Sequence, residues 1–116
     1  MSGVKLYHNP QCSKSRGALE ILRERGIEPE LVEYLKQPPG REELEQIIEL
    51  LPDPPSELVR RDKRFAELGL YASDLGSPAR VVEVLQAHPE LMQRPVVVRG
   101  RKARIARPSE KVLEIL

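Results

Sequence analysis

The most reactive side chain that this sequence encodes is that of its single cysteine, Cys12. It lies in residues 8–16 (HNPQCSKSR), after a strand-like segment at 4–7 and before a helix-like segment at 17–25. The first turn of a helix has backbone N–H groups without intrahelical partners, and the helix dipole is positive there. Both features favour the thiolate, the nucleophilic form of cysteine, and the same N–H groups can hold an oxyanion. The sequence therefore predicts a nucleophile beside an anion-binding site.

The alternative for Cys12 is a small buried hydrophobic residue, which is how most free cysteines behave. Its polar neighbours favour the nucleophile, and Lys14 and Arg16 add positive charge that lowers a cysteine pKa. Ser15 can donate a hydrogen bond to the thiolate or to a bound anion. His8 can assist Cys12, although a polar residue at the end of a strand is as often structural.

Three arginines outside this segment are candidate anion ligands: Arg60, Arg94 and Arg107. A guanidinium group matches the oxygens of a tetrahedral anion in a bidentate way that lysine cannot. The alternative for each is a solvated surface cation. Arg94 precedes Pro95 at the start of a predicted buried strand, where a cis peptide bond costs only about 0.5–1 kcal/mol more than trans.

The elements that must position these side chains begin with a strand at 4–7, a helix at 17–25 and a strand at 31–35. Gly26 follows the helix at a position that favours glycine. Strand, helix and strand within about 35 residues predict a parallel βαβ unit.

The middle of the chain, at about residues 41–90, is predicted to be an all-helical insert. Apolar residues in 44–51 follow helical spacing, Ser56 is a candidate cap for a short helix, and Ser77-Pro78 would start a helix that ends near His88.

The last quarter is predicted to be a β-hairpin, with strands at 95–98 and 102–106, followed by a helix from Pro108. The predicted fold class is therefore α/β, with the order βαβ, helical insert, ββα. At 116 residues we expect one domain, 1–116.

Composition excludes several classes of protein. The chain has 19 basic and 18 acidic residues, so its net charge of +1 argues against a general polyanion binder. No apolar run reaches the roughly 20 residues of a membrane span, and residues 1–5 lack the apolar stretch of a secretory signal. A single cysteine permits no internal disulfide, so we expect a cytoplasmic protein.

Metal sites and nucleic-acid sites each require their own pattern of residues. No pair of His, Cys, Asp or Glu has metal-ligand spacing, so we predict no metal site. The basic residues in 99–107 could form a nucleic-acid patch, but charged edge hairpins of this kind commonly serve solubility. We therefore expect no nucleic-acid partner, no membrane partner and a monomer.

Residues 8–16 resemble the active-site loop of the glutaredoxin-coupled arsenate reductases. Residues 58–61 (LVRR), 91–98 (LMQRPVVV) and 103–110 (ARIARPSE) resemble later motifs of that family, in the same order and at its spacing. The resemblance covers nearly the whole chain. Residues 12–16 (CSKSR) are similar to a sister branch, since the established reductases usually have CGTSR.

This resemblance implies a thioredoxin-like fold with a helical insert, and arsenate reduction that uses glutathione and glutaredoxin. Glutathione would be a co-substrate, with no cofactor bound. Cys12 would be the nucleophile, His8 and Ser15 would tune the thiolate, and Pro95 would be a cis-proline. The oxyanion ligands implied by the resemblance are Arg60, Arg94 and Arg107.

Two other functions stay open at this point. The same family resembles transcriptional regulators that bind RNA polymerase, although those often have a second cysteine where this chain has Ser15. The second of these functions is that of a glutathione-dependent thiol transferase, which would have to act through one thiol because the chain has one cysteine.

Overall fold

The structure is a computed structural model that describes residues 3–116. The chain forms two compact units: residues up to Gln37 together with Arg94–Leu116, and Pro38–Gln93. The second unit corresponds closely to the predicted helical insert, while the interpretation of the chain as one domain stays a prediction. No helix among the described residues combines the length and apolar character needed to span a bilayer.

The first unit is built on a four-stranded sheet in the order β2-β1-β3-β4. Its strands are β1 (Val4–His8), β2 (Glu30–Glu33), β3 (Val96–Arg99) and β4 (Lys102–Ile105). Strand β1 pairs in parallel with β2 and antiparallel with β3, and β3 pairs antiparallel with β4. The predicted parallel pair and the predicted hairpin are both confirmed.

Helix α1 (Ser13–Glu24) connects β1 to β2 and begins four residues earlier than predicted. Its first turn has polar side chains only, so apolar periodicity could not show it, and Gly17 lies inside the helix rather than at its start. The helix is followed by Gly26 at φ +75°, whose N–H bonds to the Arg23 carbonyl. The predicted role of Gly26 is therefore confirmed.

The core of the first unit lies between the sheet, α1 and a C-terminal 3₁₀ helix, Ser109–Ile115. Its buried residues are Val4, Leu6, Ala18, Leu22, Val97, Ala106, Val112 and Ile115. Burial of these aliphatic side chains packs α1 and the 3₁₀ helix against the sheet. Cys12 lies in the connection between those two elements.

The second unit contains α2 (Arg41–Leu50), α3 (Lys63–Glu67) and α4 (Pro78–Ala87). Short 3₁₀ helices lie between and after them, at Pro55–Leu58, Ala72–Leu75 and Pro89–Leu91. The Ser77 hydroxyl accepts a hydrogen bond from the Arg80 N–H at 3.2 Å, which confirms the predicted cap of α4.

The prediction that Ser56 caps a short helix was wrong. The 3₁₀ helix starts at Pro55, with Pro54 as its cap, and ends at Leu58. Val59 instead has extended backbone and forms a β-bridge with Met92. A β-branched residue that finds a strand partner favours the extended conformation over helix.

Candidate active site

Cys12 is the N-cap residue of α1, with extended backbone (φ −96°, ψ 123°) and a half-buried side chain. A tight turn leads into it: the Cys12 N–H donates to the Asn9 carbonyl at 3.0 Å. The Asn9 side-chain oxygen accepts from the Gln11 N–H at 3.0 Å. The Cys12 carbonyl then accepts from the Arg16 N–H at 3.0 Å. This turn directs the thiol toward the N-terminal N–H groups of the helix.

The pKa of the Cys12 thiol lies below the ordinary value for a cysteine. Burial raises this pKa, but hydrogen bonds from the Ser15 backbone, the Arg94 side chain and the Lys14 backbone lower it, as does the charge of Arg94. The stabilising contacts together outweigh the burial. Cys12 therefore has more thiolate at neutral pH than an ordinary cysteine, as the sequence predicted.

Arg94 lies 82 positions after Cys12 in the chain, just before β3. Its side chain lowers the pKa of the thiol, while its own Nε–H is buried and, among the described residues, has no acceptor. The Arg94–Pro95 peptide bond is cis, in agreement with the resemblance. The Arg107–Pro108 bond is also cis, which the sequence analysis did not anticipate.

Arg107 lies beside Arg94. Its Nη1 donates to the Arg94 backbone carbonyl at 3.0 Å, and the Ala106 N–H donates to the Pro95 carbonyl at 2.9 Å. The two predicted arginines are thus neighbours in the same unit as Cys12. Together they supply two guanidinium groups at the start of β3 and the end of the hairpin.

His8 and Ser15 form a buried pair behind the thiol loop. The His8 Nδ1 is 2.8 Å from the Ser15 hydroxyl, which also accepts from the Asn9 N–H at 3.0 Å. Burial, helped by the charges of Arg23 and Arg16, lowers the pKa of His8 against the opposing effect of Glu33. His8 is therefore uncharged at neutral pH, and its hydrogen bond to Ser15 links it to α1.

Arg60 lies in the second unit, where its Nη1 is 3.1 Å from Oδ2 of Asp62. The other Asp62 oxygen, Oδ1, accepts from the Phe65 N–H at 3.2 Å, so Asp62 is the N-cap of α3. Arg60 therefore has a carboxylate partner that the sequence analysis did not identify. Its role as an oxyanion ligand stays a prediction.

Two further residues make hydrogen bonds to the thiol loop or to the first turn of α1 that the sequence did not predict. Arg16, expected only as a positive charge, donates from Nη1 to the Pro10 carbonyl at 3.0 Å and so braces the turn. Ser109 donates from its hydroxyl to the Lys14 carbonyl at 2.8 Å. Nothing local in the sequence connects positions 95 residues apart, although a glycine inside a helix, Gly17, signals a close contact.

In residues 3–116 no three side chains of His, Cys, Asp or Glu are grouped so that they could hold a metal ion. The site brings together a thiol with a lowered pKa, backbone N–H groups and guanidinium groups. Such a set is suited to bind an oxyanion and to attack its central atom.

A sequence profile described as the ArsC family matches residues 7–115. The chain is 44% identical to the uncharacterized protein YfgD of Escherichia coli K12, over 97% of this chain and 96% of that one. It is 42% identical to an arsenate reductase of the same strain, over 100% of this chain and 82% of that one.

A solved structure, the arsenate reductase from Vibrio cholerae, superposes with a TM-score of 0.89 at 40% identity and 97% coverage of both chains. The predicted α/β, thioredoxin-like fold is therefore confirmed. The thiol loop and both Arg-Pro segments lie within the matched residues, as do strands β2, β3 and β4 and the end of β1. This chain belongs to the ArsC family.

Proposed function

We propose that this protein reduces arsenate to arsenite, with the Cys12 thiolate as nucleophile. The observation that carries the proposal is the effect of Arg94 on Cys12: the arginine stabilises the thiolate, and its own buried Nε–H has no acceptor in residues 3–116. Buried donors are rarely left unsatisfied, and an oxyanion at the thiol would satisfy this one. The relatives named arsenate reductase support arsenate as that anion.

Arsenate would bind where the backbone N–H groups of the first turn of α1 meet the guanidinium groups. Arg94 and Arg107 would neutralise its oxygens, and Arg60 is the third proposed ligand. Forked guanidinium donors match tetrahedral oxyanions, and their charge would also stabilise the oxygen that leaves arsenic. Arg94 and the cis-proline, Pro95, directly precede β3.

In the first step the Cys12 sulfur attacks arsenic(V), and an arsenic-bound hydroxyl group takes up a proton from solvent and leaves as water. A sulfur–arsenic bond forms, an arsenic–oxygen bond breaks, and arsenic keeps its oxidation state. The thiolate is the attacking form, which is why its lowered pKa matters for rate. His8 and Ser15 are proposed to keep the first turn of α1 in place during this step.

In the second step a glutathione thiolate attacks the Cys12 sulfur. A disulfide forms between them, the sulfur–arsenic bond breaks, and its electron pair reduces arsenic(V) to arsenic(III), which leaves as arsenite. Glutaredoxin then attacks the glutathione sulfur and releases Cys12 as the thiolate. Because the chain has one cysteine, the second thiol of the disulfide has to come from another molecule.

The proposal fits a monomer in the cytoplasm, where glutathione keeps thiols reduced. The decisive experiment follows NADPH consumption through glutathione reductase, glutathione and glutaredoxin, with and without arsenate. We expect arsenate-dependent consumption from the natural protein and none from Cys12→Ser. Turnover by Cys12→Ser would contradict the mechanism.

A parallel assay with a glutathionylated protein as substrate separates the proposal from a thiol-transferase function. We expect faster consumption with arsenate than with the glutathionylated protein. Consumption with the glutathionylated protein alone would replace arsenate reduction by thiol transfer.

A further inference from the structure

Gly17 occupies an unusual position, in the interior of α1 with the buried Ala18 directly after it. Glycine is the least favourable ordinary residue inside a helix, apart from proline, so its presence needs a local reason. A Cβ at position 17 would lie 2.8 Å from the Ser109 hydroxyl oxygen and 3.4 Å from the Ser109 Cβ. Ser109 therefore occupies the space that a side chain at position 17 would need, and glycine leaves that space free.

Ser109 uses this space to make a hydrogen bond. Its hydroxyl donates to the Lys14 backbone carbonyl at 2.8 Å. Lys14 lies two residues after Cys12, and Ser109 lies two residues after Arg107. The contact therefore ties the first turn of the thiol-bearing helix to the segment that carries one of the candidate anion ligands.

We propose that Gly17 and Ser109 act together as a positioning clamp that holds the Arg107 segment against the first turn of α1. The inference rests on the proposed function only in taking arsenate as the anion that Arg107 serves. Arg107 in turn bonds to the Arg94 carbonyl at 3.0 Å, so the clamp completes a connection from α1 to both arginines. Neither clamp residue touches the reacting atoms; both act through Arg107.

The clamp predicts that two different substitutions have the same consequence. Ser109→Ala removes the donor, and Gly17→Ala displaces the hydroxyl by steric contact at 2.8 Å. Each breaks the same bond to Lys14, so the double variant should be no worse than the more damaging single variant. Independent effects would instead multiply.

The test compares alkylation of Cys12 by iodoacetate, which is negatively charged, with alkylation by iodoacetamide, which is neutral. Positive charge in a cleft speeds the reaction of an anionic reagent by about 10-fold or more. We expect the ratio of the iodoacetate rate to the iodoacetamide rate to fall roughly threefold in Ser109→Ala, in Gly17→Ala and in the double variant.

The pH midpoint of iodoacetamide alkylation separates positioning from general damage. The midpoint should stay where it is, because the N–H donors from Lys14 and Ser15 and the Arg94 contact remain in place. Disorder of α1 would move the midpoint upward as well. Ser73→Ala and Gly76→Ala are matched controls, since Ser73 is exposed and a Cβ at position 76 meets only ordinary contacts, at 3.5 Å.

An unchanged ratio in Ser109→Ala and Gly17→Ala would overturn the clamp, as would single losses that multiply in the double variant. A midpoint that rises with the loss would also overturn it, in favour of a structural role. Arsenate turnover is measured separately on the natural protein. Its absence would contradict the proposed function, while the alkylation ratio still decides the clamp.

Discussion

The Arg107 guanidinium donates a hydrogen bond to the backbone carbonyl of Arg94, with 3.0 Å between Nη1 and O. The side chain of Arg94 meanwhile lowers the pKa of Cys12, both as a hydrogen-bond donor and through its charge. The two arginines therefore have different tasks: Arg94 stabilises the thiolate directly, and Arg107 contacts the backbone that carries Arg94. Substitutions at the two positions should consequently affect different measurable quantities.

Arg94→Ala should raise the pKa of Cys12, because it removes a hydrogen bond and a charge that stabilise the thiolate. In the natural protein the midpoint of iodoacetamide alkylation should lie below that of an ordinary cysteine, and the variant should move it upward. The rate at a pH below both midpoints should fall in the variant. Arg99→Ala, at an exposed position of the hairpin, is the control and should leave the midpoint in place. An unshifted midpoint in Arg94→Ala would show that the contact does not stabilise the thiolate.

Arg107→Lys should raise the KM for arsenate by about 10-fold or more, the usual effect of losing a hydrogen bond to a charged group. Lysine keeps the positive charge but cannot bond to the Arg94 carbonyl and offer a fork to an anion at once. The midpoint of Cys12 alkylation should stay unchanged, in contrast to Arg94→Ala. Steady-state kinetics with varied arsenate measure the effect, with Arg101→Lys at the hairpin turn as control. An unchanged KM would remove Arg107 from the binding site.

Local sequence patterns were sufficient to predict much of the fold. Alternation and helical spacing predicted the parallel β1–β2 pair and the β3–β4 hairpin, because these patterns reflect which side chains face the core. The start of α1 was missed because its first turn has no apolar side chain. Ser56 was wrongly predicted to cap a helix. The bridge between Val59 and Met92 makes the chain extended there, and Met92 lies 33 positions away, beyond the reach of a local pattern.

The candidate site was predictable where residue chemistry pointed to it, and unpredictable where contacts between distant segments decide the geometry. The setting of Cys12 between a strand and a helix indicated a lowered pKa, and the structure agrees. The bond from Ser109 to Lys14 and the ion pair of Arg60 with Asp62 had no local signal. Both depend on where the backbone places side chains that are individually ordinary.

Asp62→Asn should lower the KM for arsenate if Arg60 binds the anion. The Asp62 carboxylate lies 3.1 Å from Arg60 and competes with any anion for that guanidinium. Asparagine retains the cap of α3 but removes the charge. Because partly exposed ion pairs contribute up to about 1 kcal/mol, we expect a fall of no more than about fivefold.

The Arg60 prediction has an internal control. Arg60→Ala should raise the KM, and Asp62→Asn should then have no further effect in that background. Asp53→Asn removes a carboxylate elsewhere in the second unit and should leave the KM unchanged. A KM that falls equally with and without Arg60 would show that Asp62 acts on the anion by some other route.

Replacing His8 by asparagine should change how stability depends on pH. Burial lowers the pKa of His8 in the folded protein, whereas in the unfolded chain it has the usual value of about 6.5. The contribution of His8 to the free energy of unfolding is fully present above about pH 6.5. As the pH falls below that value the unfolded state takes up a proton first, so this contribution is lost between about pH 6.5 and the lowered pKa of folded His8. Urea unfolding between pH 7.5 and 5 should therefore show a decline in the free energy of unfolding of the natural protein, and His8→Asn should reduce that decline.

The control for His8→Asn is His88→Asn, which removes the other histidine of the chain and must keep the decline if His8 is its source. Asparagine at position 8 can still bond to Ser15. Parallel curves for the natural protein and His8→Asn would show that a neutral, buried His8 contributes nothing to folding in this range.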